Sequence, residues 1–100
     1  MFTFRIHATL DPTKPRDKAT EGAAGAYVVC WIDFADVTGA EVLARHYISA
    51  AGFIPDEVED TRSTTREDYA DDDQLRSYFD EAVENGCCLS FHLYPAEESE

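Results

Sequence analysis

The chain reads as an α+β fold, a two-layer sandwich with elements in the order β-β-α-β-α-β. Three observations predict it. Residues 2–10 and 87–95 alternate in side-chain character as strands do, while residues 26–34 are apolar at nearly every position. Two further segments, each closed by a glycine, carry apolar residues at helical spacing. No stretch approaches the ~20 apolar residues that a membrane-spanning helix needs.

In the first strand Phe2, Phe4, Ile6, Ala8 and Leu10 point one way, and Thr3, Arg5, His7 and Thr9 the other. Residues 11–24 hold two prolines, three basic residues and no periodicity, and are expected to form a long flexible loop. The second strand, AYVVCWIDF at 26–34, places Val28, Cys30, Ile32 and Phe34 on one face and Tyr27, Val29, Trp31 and Asp33 on the other. Apolar side chains on both faces mark a central strand that is covered from both sides.

The first helix is expected to start with a capping box, Thr38 to Glu41, with Val37 and Val42 as its hydrophobic staple. Ala40, Leu43, Ala44, Tyr47, Ile48 and Ala51 form its apolar stripe, Gly52 ends it, and His46 falls outside the stripe. Residues 56–66 read as a polar third strand. The second helix runs from about 73 to 85 with Leu75, Tyr78, Phe79, Ala82 and Val83 inward, and Gly86 stops it. A last strand at 87–95 precedes a frayed acidic tail at 96–100.

Each helix has a single apolar stripe, so both are expected on one face of a four-stranded mixed sheet, an architecture of the ferredoxin-like type. Right-handed crossovers on one face would put the third strand inside the sheet. Its polarity argues for an edge, and the sequence leaves the strand order open. The whole of residues 1–100 reads as a single domain.

The run GCCLSFHLYP, with two cysteines and a histidine, has the residue types of a metal site or a nucleophile with its base. Strand geometry separates them. Adjacent Cys87 and Cys88 point to opposite faces, and Cys88 and His92 share a face but lie roughly 13 Å apart at ~3.3 Å per residue. Zinc–ligand bonds of about 2.0–2.3 Å cannot span that distance within one strand. Cys30 and Cys87 read as small core residues. Glu21–Ala26 lacks the Gly-Lys-Ser/Thr of a phosphate loop, Asp68–Gln74 lacks the glycine and distal glutamate of a calcium loop, and Ser90 has no flanking glycines. No catalytic residue, metal ligand or cofactor is assigned, and an enzyme is the lesser expectation.

The formal net charge is −13. It is uneven, with four basic and three acidic groups in residues 1–32 against four basic and eighteen acidic in residues 33–100. Such a surface repels nucleic acid and anionic membranes and attracts basic partners. The start, MFTFRIHATL, lacks a basic n-region and a small-residue cleavage site, and three cysteines form no disulfide pattern. A soluble cytoplasmic protein is expected.

If the helices cover the face of Phe4, Ile6, Val28, Ile32, Leu89 and Phe91, the other face displays Arg5, His7, Tyr27, Val29, Trp31, Asp33, Cys88, His92 and Tyr94. An exposed aromatic patch with interspersed polar groups marks a contact surface. The leading expectation is a homodimer closed sheet to sheet over Trp31. The first alternative is an acidic inhibitor or partner-binding module for a basic protein. The second is a small enzyme or metal-binding domain using His7, Asp33, Cys88 and His92 across strands.

Overall fold

Every strand pairing in the protein is antiparallel, and the strand order is β3-β1-β2-β4. The computed structural model describes residues 1–13 and 22–95. Its elements are β1 (Phe2–Leu10), β2 (Ala23–Ile32), α1 (Val37–Ala50), β3 (Phe53–Ser63), a 3-10 turn (Arg66–Tyr69), α2 (Asp73–Asn85) and β4 (Cys87–Pro95). The expected tail at 96–100 and the middle of the expected 11–24 loop lie outside the described residues. β2 starts three residues earlier than its apolar run, because small Ala23–Gly25 continue the ladder opposite Thr9 and Tyr94.

The sheet corrects the expected layering in two respects. It is antiparallel rather than mixed, and the helices lie on opposite faces rather than on one. Ala40, Ala44 and Ile48 of α1 are buried against Phe4, Ile6, Val28, Cys30 and Ile32. Ala82 of α2 is buried instead with Trp31 and Cys88, and Leu75, Tyr78 and Phe79 pack around them. These two sets of strand residues alternate in sequence and therefore face opposite ways. The physical reason lies in β2, whose second apolar face also needs cover. The link from β3 to β4 joins opposite edges of the sheet in antiparallel sense, so the handedness rule for parallel crossovers does not constrain it. A ferredoxin-like layering, with both helices on one side, therefore does not form. The polar third strand is an edge, as its composition argued.

The helix ends are settled by backbone hydrogen bonds. Asp36, not Thr38, caps α1: its Oδ2 accepts from the Gly39 N–H at 2.8 Å. Val37 and Val42, the expected staple, are both exposed. Asp72 caps α2 by accepting from the Leu75 N–H at 3.0 Å. Gly52 and Gly86 follow the two helices at φ 95° and 91°, the left-handed region that a Cβ disfavours. Val83, expected inward, is exposed on α2. None of the helices is long and apolar enough to cross a membrane, among the described residues.

These caps make a discriminating prediction. Asp36→Ala should lower unfolding free energy by about 1 kcal/mol in urea denaturation, the usual effect of losing an N-cap. Thr38→Ala should stay within about 0.5 kcal/mol of the parent, as a surface change without a cap role does.

Candidate functional site

α2 covers only one end of its sheet face. Trp31 is 2% exposed and Cys88 5% exposed beneath it. The indole Nε1–H donates to the Tyr69 hydroxyl at 3.1 Å, and the Tyr78 ring lies 5.1 Å from the indole. Neither residue therefore belongs to an open surface, which corrects the reading that placed them there. Asp33 lies just past the end of β2 and is exposed. The uncovered half of the face keeps Arg5, His7, Tyr27, His92 and Tyr94.

Three of these side chains form one cluster. The His7, Tyr27 and Tyr94 rings stand 5.2, 5.5 and 5.8 Å apart, centroid to centroid. The Arg5 guanidinium sits over Tyr27 at 5.0 Å from its centroid. His7 and Tyr94 are on strands separated by β2, yet His7 Nε2 and the Tyr94 hydroxyl are 2.6 Å apart. Gly25 makes this possible. A Cβ there would stand 2.6 Å from the Tyr94 hydroxyl and 2.5 Å from the Ala8 carbonyl oxygen. The phenol lies across β2 because that position has no side chain.

The third strand supplies the other partner of His7. Pairing of β1 with β3 slips between Arg5 and Ile6 and again between Ile6 and Ala8. Each slip is a bulge that turns a carboxylate toward β1. Glu59, between Val58 and Asp60, reaches Arg5 Nε at 3.4 Å, and Asp56 reaches His7 Nδ1 at 3.2 Å. Asp56, His7 and Tyr94 thus form a continuous polar chain across the sheet. All three groups are satisfied when Nδ1–H donates to Asp56 and Nε2 accepts from the Tyr94 hydroxyl, a proton placement inferred from the partners. A carboxylate orienting an imidazole that is bonded to a hydroxyl is an acid–base arrangement. Here the side chains stand on an open sheet rather than in a cleft.

Beside the cluster, a recess of about 220 Å³ opens where α2 meets the bare face. Val29, Trp31, Tyr69 and Leu75 line it with apolar surface, and Arg5 and Arg62 stand at its rim. Arg62 is paired with Asp60 at 2.7 Å and Arg66 with Asp80 at 2.8 Å. With Arg5 on Glu59, each of these three arginines carries a carboxylate partner.

The remaining sequence-derived groupings are not assembled. His92 is exposed opposite Tyr27, near the Ser90 hydroxyl at 3.3 Å. Asp33 is six residues beyond Tyr27, roughly 20 Å along the strand direction. His92 and Asp33, two of the four residues of the expected enzyme or metal site, are therefore not brought together. Cys88 sits opposite Trp31 under α2, away from His7. Among the described residues no three His, Cys, Asp or Glu side chains gather around one position. The partners that sequence reasoning missed are Asp56, hidden because a bulge breaks alternation, and Gly25, which fell between the expected loop at 11–24 and the expected strand at 26–34.

Cys30 and Cys88 are kept as thiols. Burial, with Cys87 and Cys88 nearby, pushes Cys30 up from 9.0 to about 12. Burial and then the Glu81 carboxylate push Cys88 up to about 12 as well. A pKa raised by folding contributes stability that is complete below the unfolded value and is lost as pH rises. Stability should therefore fall between pH 9 and about 12, followed by circular dichroism, and Cys30→Ala should flatten that slope. In the cluster, Tyr94→Phe should cost about 1 kcal/mol, one part-buried hydrogen bond. Gly25→Ala should cost about 1–3 kcal/mol through overpacking, and should shift the His7 imidazole resonances in NMR spectra. No protein-family model, curated protein or solved structure matches the chain.

Proposed function

We propose that the chain is a binding module that recognises a basic segment of another protein on the uncovered half of its second sheet face. The observation that carries this reading is the His7–Tyr27–Tyr94 ring cluster, which already holds the Arg5 guanidinium over Tyr27. An aromatic face that accepts one guanidinium offers the same attraction to another. The surroundings match. The neighbouring edge strand carries Asp56, Glu57, Glu59 and Asp60, and the whole chain has a formal charge of −13. Such a field steers basic partners to the surface.

The recess next to the cluster gives this surface an anchor point. Its apolar floor of Val29, Trp31, Tyr69 and Leu75 has room for one partner side chain. A second copy of the sheet is the less favoured occupant here. α2 stands on the same face beside Trp31, which leaves a strip suited to an extended peptide rather than to a flush sheet. Three free thiols fit a reducing compartment, which supports a cytoplasmic setting for such a module.

The test is titration with peptides rich in Arg and Lys that carry one aromatic anchor, followed by Trp31 fluorescence and NMR shifts. Binding should weaken as salt is added, and Tyr27→Ala should weaken it about 5–10-fold, the scale of one cation–π contact. Equal binding of an uncharged control peptide, or shifts confined to α1, would refute the reading.

A further inference from the structure

We propose that β4 is an assembly edge through which two copies of the chain pair, strand to strand, into one continuous sheet. The two edges of the sheet are built differently. β3 carries five charged residues in Phe53–Ser63 and two register slips. Charges and bulges are the devices that keep an edge from accepting another strand. β4 has neither. Cys87–Pro95 contains no Asp, Glu, Lys or Arg, pairs with β2 without a slip from Gly25↔Tyr94 to Ile32↔Cys87, and is nine residues long. Among the described residues β2 is its only strand neighbour. The other side of its backbone is therefore a row of donors and acceptors.

The side chains indicate what pairs there. On the α1 face β4 presents Leu89, Phe91 and Leu93. α1 packs on β1, β2 and β3, and Leu93 stays 41% exposed at the edge. A two-fold axis through Phe91 sets Leu89 opposite Leu93 of the second copy, Phe91 opposite itself, and Ser90 opposite His92. Apolar residues then meet apolar ones and polar residues meet polar ones in both directions. That pattern is self-complementary, as an isologous interface requires. A segment without charges is also the part of this chain where two copies of charge −13 can approach with least repulsion. In this register Cys88 of one copy faces Tyr94 of the other. The two α2 helices, each over the Cys88 end of its own strand, then lie at opposite ends of the paired strands.

Sedimentation equilibrium from micromolar to millimolar protein tests the proposal. The expected result is a mass near twice 11.2 kDa, with association strengthened by added salt. Leu93→Lys, at an exposed position, should weaken association at least tenfold while leaving the circular dichroism spectrum unchanged. An equal mixture of Ser90→Cys and His92→Cys proteins should form an intermolecular disulfide faster than either protein alone. A monomer over the whole range would overturn the proposal. So would a dimer that Leu93→Lys leaves intact, or cross-linking no faster in the mixture. The peptide titration above reads the sheet face around Tyr27, whereas sedimentation and Leu93→Lys read the β4 edge on the α1 side, so either idea can fail without the other.

Discussion

The central constraint is the double-sided burial of β2. Its Val28, Cys30 and Ile32 enter the core beneath α1, and the alternating Trp31 requires a second core on the far side. An indole of this kind buries on the order of 200 Å², worth about 5 kcal/mol at ~25 cal/mol per Å². Leaving it bare would forfeit a large share of the stability of a small domain. α2 and Tyr69 cover it. The opposed helices and the long link from β3 to β4 both follow from that need. The bare half of the face follows as well, because a helix of thirteen residues covers one end of a strand pair and not the other.

The bare half is held in place by its own register. His7, Tyr27 and His92 fall in one row across β1, β2 and β4. The bulges of β3 bring carboxylates to that row from one side, and the missing side chain of Gly25 lets Tyr94 in from the other. Rigid strands therefore set the spacing of Asp56, His7 and Tyr94, with no loop involved. The ion pairs along β3 are solvent-exposed and contribute little individually. Their larger effect is directional, since they concentrate negative charge beside the rings.

Much of this was legible in the chain. Alternation placed β1 and β4 at their observed bounds, and glycines marked both helix ends. It also predicted that Cys87 and Cys88 diverge, and they pack into different clusters. What alternation could not supply was the choice of face for each helix. Leu75, Tyr78 and Phe79 are equally apolar toward either side of a sheet. Two local rules also misled. Thr38 and Glu41 satisfy the capping-box pattern, but Asp36 offers a carboxylate two residues earlier and the helix begins there. The third strand carries extra residues at its bulges, so a period of two loses count within it and conceals Asp56.

In polymer terms, the charged and slipped β3 gives the sheet a functionality of one. A monomer with a single reactive end can cap a chain but cannot extend it. Strand addition at β4 would therefore stop after one event, whatever the added strand. Removing the β3 bulges would change the molecule from a terminator into a repeat unit, capable of unlimited growth. If β4 pairs as proposed, Asp56 and Glu59 act as a chain stop as well as partners for His7 and Arg5.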